Sequence, residues 1–428
     1  MPSPAPPASP WLQRSLPLMP AIGMVASIGY VWNWQGAHVG MHPLLLFGLI
    51  QSIFFLIQTL LCLLYRPVPA DRQLELPRVT VVVPAYNEGA MIRISIGSVA
   101  ASDYPADRLE MVVVDDGSHD DTYAHMEAMA AQHPNLVHLI RLPQNVGKRA
   151  ALYAGFRAAK GEILVTLDSD SVLEVAALRN LVAPLQQRPK IGAVAGRVAV
   201  LNRDGLMGRM LDVQFSLAFD FLRAAQSVTG IVSCCPGALT ALRRAIIAPH
   251  LEAWAHQTFL GRAVAHGEDQ ALTNIVIAQG YNTCYQATAV VHTLVPETYS
   301  KLCRMLTRWD RSYIVESIVF ARSLSLPLLR RGQVLAVTNF WLEHVRRLML
   351  YVGLAELPRL LLYQPELLSR FFVAFLIGTT SSALYYLRSE RSLRFLYGVL
   401  YSAYALFYLN WILPWALFTV RETRWGTR

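Results

Sequence analysis

Two stretches near the start of the chain are almost wholly apolar, at about 16–34 and 43–65. Within the second, LLLFGLIQSIFFLIQTLLCLLY carries no charge. Each run approaches the roughly 20 residues that a bilayer core requires, so residues 15–65 read as two transmembrane helices. Arg66, Arg72 and Arg78 follow, which puts the next segment, and after two spans the N-terminus too, in the cytosol. Residues 1–14 open with MPSPAPPASP, too poor in apolar side chains to build a core; they read as disordered and not as a signal peptide.

From 77 to 298 the texture changes. VTVVV (79–83), MVVVD (111–115), LVHLI (136–140) and EILVTL (162–167) read as buried parallel strands. Helical patterns follow at about 119–132, 148–159 and 172–187. The alternation predicts an α/β domain with a mostly parallel sheet and ligands beyond the carboxyl ends of its strands. Residues 299–330 mix Arg304, Arg308, Arg311 and Arg322 with Leu, Trp and Tyr, the pattern of amphipathic helices on the membrane surface.

Apolar runs return at about 333–356, 368–387 and 395–420, so 331–420 reads as a C-terminal membrane region. RSERSLR (388–394) and the tail 421–428 are both basic and both favour the cytosol, so one full span cannot separate them. Either 395–420, which holds Pro414, is bent, re-entrant or interfacial, or 333–356 lies in the interface with Glu343, His344, Arg346 and Arg347. The pattern leaves both open.

Composition agrees with membrane embedding. Of 428 residues, 54% are hydrophobic and only 16% charged. The net charge of +9 is explained by arginines flanking apolar runs; without a basic stripe interleaved with aromatics, no nucleic-acid partner is expected. The five cysteines lack the spacing of a zinc site or a disulfide framework, which fits a reducing cytosol. Protein partners leave no signature.

The candidate chemistry sits at predicted strand ends. VVVPAYNEG (81–89) gives a loop of backbone amides with a carboxylate. VVVDDGSHDDT (112–122) pairs Asp115 with Asp116, whose mutual repulsion calls for a ligand, while capping accounts for Ser118 and Asp120. In NVGKRAAL (145–152), Lys148 and Arg149 open a helix, the end that favours anions, although the P-loop pattern is absent. LDSDS (167–171) sets Asp168 and Asp170 on one side of an extended segment, as suits Mg²⁺ or Mn²⁺ on a diphosphate. In GEDQALTN (267–274), Glu268 and Asp269 either cap a helix or supply the base of a group transfer. In TRWDRS (307–312), Arg308 suits a phosphate and Trp309 a sugar ring, though both residue types are common at membrane interfaces.

In this order the motifs resemble the family 2 glycosyltransferases with a GT-A fold. RAAQSVTG (223–230), GEDQALTN, TRWDRSYIVES (307–317) and LFTVRETRWGTR (417–428) are most similar to the group of hyaluronan synthases, nodulation-type chitin oligosaccharide synthases and chitin synthases. The resemblance implies an inverting, processive enzyme that polymerises sugars from UDP-sugars and secretes the polysaccharide. UDP-GlcNAc is the expected donor, with or without UDP-glucuronate, and the growing polysaccharide the acceptor. A multi-pass place in the cell membrane with a cytosolic catalytic domain is implied too. A chitin-type or other β-glycan homopolymer, or transfer of a single sugar to a lipid carrier, are the alternatives.

By the same resemblance, Ala85, Tyr86, Glu88 and Asp116 contact the uridine part, Lys148 approaches the nucleotide, Asp168 meets the donor and Asp170 the metal. Asp269 is the base, with Glu268 beside it. Arg308 and Trp309 belong to a QxxRW element that touches diphosphate and acceptor; Met305 stands where that element has Gln and offers no comparable hydrogen bond. Cys235, Pro236 and Gly237 fall in the loop that holds the acceptor. Trp425 to Arg428 match a segment that closes over the nucleotide.

Overall fold

The computed structural model describes residues 14–32, 43–388 and 390–422. All but Arg14 of the leader 1–14, and Trp425 and Arg428 of the tail, lie outside the described residues. The chain forms two compact units: Met1–Tyr65, Arg209–Thr229 and Leu328–Tyr408 make the first, and Arg66–Gly208, Gly230–Pro327 and Leu409–Arg428 the second.

In the first unit, the helix Met19–Trp32 packs on Pro365–Ala383, and Pro43–Leu64 packs on Val334–Tyr363. Pro43–Leu64 is the span expected from sequence. Of the run expected as the first span, residues 14–32 are described, and they are helical with a 3-10 turn at Leu16–Leu18. Val334–Tyr363 tolerates its polar residues because they meet partners on Pro43–Leu64. Gln58 hydrogen-bonds Asn339, and the Arg346 guanidinium lies 5.0 Å from the Phe54 ring.

Among the described residues, three helices are long and apolar enough to cross a membrane: Pro43–Leu64, Tyr299–Arg330 and Pro365–Arg388. Tyr299–Arg330, read from sequence as interfacial, qualifies on length and composition, although five of its charges, Lys301, Arg304, Arg308, Asp310 and Arg311, fall in its first half. The run 395–420 is not one helix. It breaks into Leu396–Tyr408 and Ile412–Phe418.

The second unit is built on strands β1 (Val79–Ala85), β2 (Leu109–Asp115), β3 (Val137–Arg141), β4 (Ile163–Leu167), β5 (Ser171–Leu173), β6 (Ile191–Val200), β7 (Leu239–Arg243), β8 (Thr258–Phe259), β9 (Arg262–Ala263) and β10 (Asn282–Thr293). Eight of them form one sheet in the order β3-β2-β1-β4-β7-β6-β10-β5, and β8-β9 is a separate hairpin. Every residue of β1 and β4 is buried, as near-continuous apolar central strands require.

The four strands expected from sequence pair in parallel, but β7 runs antiparallel between β4 and β6, and β5 antiparallel to β10, so the sheet is mixed. The helix expected from 172 starts at Ala177, because Ser171–Leu173 is drawn into the sheet edge against Val291–Thr293.

Gly117 makes the turn after β2. Its φ is +70°, and an added Cβ would stand 2.5 Å from the Gln144 backbone. Gly117→Ala is expected to cost about 1–3 kcal/mol of stability through strain and collision. Thermal unfolding of the detergent-solubilised protein checks this, and an unchanged Tm would contradict the close packing of the two loops.

Candidate active site

A cavity of about 450 Å³ opens at the carboxyl ends of β1, β2 and β4. Eight residues picked from sequence line it: Ala85, Tyr86, Glu88, Asp116, Lys148, Asp168, Asp170 and Arg308. They come from five separate motifs, four of them gathered because parallel strands end on one edge, and the fifth, with Arg308, brought by the helix Tyr299–Val319.

The paired acids after β2 do not need a ligand to coexist, contrary to the expectation from sequence. Asp115 is wholly buried, accepts from the Ser118 amide at 3.0 Å and faces the Arg141 guanidinium at 3.4 Å. Asp116 accepts from the Val146 and Gly147 amides, both at 2.9 Å, so it pins the loop that leads to Lys148. Burial raises its pKa against the pull of those amides. It still presents a face to the cavity.

Lys148 begins the helix Lys148–Ala158. Its Nζ lies 2.6 Å from Asp168 Oδ1 and 3.0 Å from Glu268 Oε1. Burial alone would lower the ammonium's pKa, but the two carboxylates outweigh it and the pKa rises. Glu268, also penalised by burial, is held below the usual carboxylate range by Lys148. Arg149 does not share this duty. Its buried guanidinium donates to Trp254 O at 2.8 Å, Gln257 Oε1 at 2.7 Å and His266 O at 3.2 Å, so it braces a loop and makes no wall of the cavity.

Glu268 and Asp269 open the helix Glu268–Ala278. The Gly237 amide donates to Asp269 Oδ2 at 3.0 Å, and the Cys234 thiol lies 3.8 Å from the same oxygen. Burial, then the neighbouring Glu268, push the Asp269 pKa upward. Gly237 is fixed by space, since a Cβ there would stand 2.8 Å from Lys148 Nζ. The Cys235 side chain is buried and its amide donates to Thr273 Oγ1 at 3.0 Å, while Pro236 O accepts from Thr240 Oγ1 at 2.7 Å. In this loop Cys234, not singled out from sequence as an acceptor contact, faces Asp269 together with Gly237.

Met305 and Arg308 line the cavity from the helix Tyr299–Val319, together with Lys301 and Arg304. Trp309 does not; it stands 38% exposed, since successive helical residues point about 100° apart. Sequence reasoning also passed over Asn202, which clamps the far wall by donating to Val295 O at 2.9 Å and accepting from its amide at 2.8 Å. Farther along the same helix, Arg311 donates to Thr419 Oγ1 at 2.9 Å and pairs with Glu422. The end of the described chain is thereby fastened beside the helix of Arg308.

Asp170 is buried at the cavity wall, with Oδ1 accepting from the Thr293 hydroxyl at 3.1 Å. Among the described residues no group of three His, Cys, Asp or Glu side chains could hold a cation alone. Asp170 and Asp168 by themselves offer fewer ligands than a hard cation takes, so a cation here would need further ligands from a diphosphate and water.

Residues 80–250 match the family model described as glycosyl transferase family 2. The hyaluronan synthase of Streptococcus pyogenes serotype M1 is 32% identical over 399 residues, covering 90% of this chain and 90% of that protein. An N-acetylglucosaminyltransferase of Azorhizobium caulinodans is 32% identical over 359 residues, covering 82% and 87%. Among solved structures, the mannosyltransferase PcManGT from Pyrobaculum calidifontis, in complex with GDP-Man and Mn²⁺, superposes with a TM-score of 0.57 at 23% identity, covering 91% of this chain and 99% of that one. That likeness speaks for a GT-A fold.

Lys148→Met would leave Asp168 and Glu268 without their shared cation. A loss of about 1–3 kcal/mol is expected, less than for a fully buried pair because Lys148 and Asp168 are partly exposed, with partial recovery in Lys148→Arg. Denaturant titration decides it; a loss below about 1 kcal/mol would mean that the cluster is solvated.

Proposed function

Since this chain belongs to glycosyl transferase family 2, we propose that it is an inverting, processive β-glycosyltransferase that polymerises sugars from UDP-sugars and passes the product across the membrane in which it sits. The observation that carries this reading is the cluster in which Lys148 joins Asp168, on the cavity wall, to Glu268, beside Asp269. It sets the residues expected to hold the donor next to the expected base. UDP-GlcNAc is the first choice of donor, with UDP-glucuronate as a second in alternation. The S. pyogenes relative, named hyaluronan synthase, supports the pair of donors. The A. caulinodans relative, named N-acetylglucosaminyltransferase, supports a homopolymer from UDP-GlcNAc alone.

In the mechanism, the loop at Ala85–Glu88 and Asp116 receive the uridine part, and Arg308 pairs with the diphosphate. Asp170 and Asp168 would hold Mg²⁺ or Mn²⁺, which when bound would supply positive charge to the leaving diphosphate. Asp269 takes the proton of the acceptor hydroxyl as that oxygen attacks the anomeric carbon and the bond to UDP breaks. The Gly237 amide fixes the Asp269 carboxylate, and its raised pKa makes it a stronger base than an ordinary aspartate. The apolar helices of both units seat the enzyme in the bilayer, with the sheet domain in the cytosol.

Asp269→Asn is expected to abolish polymer while UDP binding persists, since an amide cannot take the proton. A base must be ionised, so the rate falls as pH drops through the Asp269 pKa, and its upward displacement brings that fall nearer neutrality. Polymer yield and kcat against pH test both statements; full yield from Asp269→Asn removes it as base.

Purified protein in detergent with Mg²⁺, radiolabelled UDP-GlcNAc, and UDP-glucuronate added or omitted tests the substrate. Polymer that needs both donors establishes the heteropolymer, and polymer from UDP-GlcNAc alone the homopolymer. EDTA is expected to stop either synthesis and Mn²⁺ or Mg²⁺ to restore it. Activity that survives chelation would remove the metal role of Asp170.

A further inference from the structure

A buried polar network lies behind the site, outside the residues of the mechanism. Its centre is Glu316, 1% exposed, on the helix Tyr299–Val319. Gln257 Nε2 donates to Glu316 Oε1 and Asn274 Nδ2 to Oε2, both at 2.8 Å. Asn274 is on the helix Glu268–Ala278, five residues after Asp269. Gln257 cannot turn its amide, because its Oε1 accepts from Arg149 Nη1 at 2.7 Å. Arg149 is the residue after Lys148 and also holds Trp254 O, and the Trp254 indole donates to Glu268 O at 3.0 Å. One carboxylate thus ties the helix of Arg308, the helix of Asp269 and, through Gln257 and Arg149, the helix of Lys148.

A charge buried this deeply is a poor source of stability, since desolvation consumes what pairing returns. What it gives is direction. Two donors on different elements converge on a group that can only accept, which fixes their register. We propose that Glu316 is a positioning residue, which sets the Asp269 carboxylate relative to the helix that presents Arg308. The inference rests on the reading of Asp269 as base, and it assigns Glu316 no contact with substrate.

The test uses Glu316→Gln, Asn274→Asp and the pair together, in the full-length enzyme. Glu316→Gln puts an amide donor against one of two donors. Asn274→Asp puts two carboxylates together. In the double variant the new amide oxygen accepts from Gln257 and its nitrogen donates to the new aspartate, so both side-chain hydrogen bonds of position 316 are again matched, at the loss of the one that Asn274 gives Glu316 O at 3.3 Å. Each single variant is expected to lower kcat about tenfold or more, as small misplacements of reacting groups do, with the donor KM within about twofold. The double variant is expected to recover to within about threefold of wild type.

A bracing role alone would lower Tm and leave kcat per folded molecule unchanged. The proposal is overturned by near-normal kcat in folded Glu316→Gln, by a rise in KM alone, or by a double variant no better than the worse single one. If Glu316→Gln does not fold, the double variant decides: recovered kcat supports the proposal, and low kcat or no folding overturns it. Asp269→Asn, assayed alongside, separates the two ideas, since persistent polymer there refutes the base while leaving the Glu316 series to be read by itself.

Discussion

One ammonium organises the catalytic unit. Lys148 Nζ sits within 3.0 Å of both Asp168 and Glu268, and a charge removed from water in this way persists only when it is paired. Its two partners come from different elements, one from just after β4 and the other from the start of the helix Glu268–Ala278. The same nitrogen denies Gly237 a side chain, and the bare backbone there lets the Gly237 amide reach Asp269. Three carboxylates, Asp168, Glu268 and Asp269, thus gather about a single lysine. The surplus negative charge has a direction: Lys148 keeps Glu268 ionised, while burial and that ionised neighbour raise the Asp269 pKa. Two adjacent acids on one helix turn acquire different proton affinities, which is what separates a structural carboxylate from a base.

The parallel half of the sheet was legible because β1, β2 and β4 are near-continuous apolar runs that end at or close to Asp or Asn. The strand β6, IGAVAGRVAV, left no such mark: glycine and alanine are weak strand formers, and its place is set by packing against β10 and β7. Motif residues at strand ends were found, since spacing along the chain maps directly onto that edge. The roles of Asp115 and Arg149 were not. Asp115 is balanced by Arg141, and Arg149 by Trp254, Gln257 and His266, partners from 26 to 117 positions away. Hydrogen bonds over such separations have no local signature.

The antiparallel strand that local pattern missed is what completes the site. Parallel strands deliver all their carboxyl ends to one edge, so β1, β2 and β4 supply Tyr86, Asp116 and Asp168 there. Their return connections lie at the opposite edge, where nothing can reach a bound donor. β7 runs the other way, with Leu239 paired to Leu167, so the loop that precedes it arrives where β4 leaves. That register sets Gly237 beside Asp168, with an added Cβ at 3.6 Å from Asp168 Oδ1. A strand parallel to β4 at this position would have sent residues 234–238 to the far side and left Asp269 without its amide. The reversal therefore separates two tasks within one sheet: strands leaving the edge bring the groups expected to hold the donor, and the strand entering it brings the loop that meets the expected base.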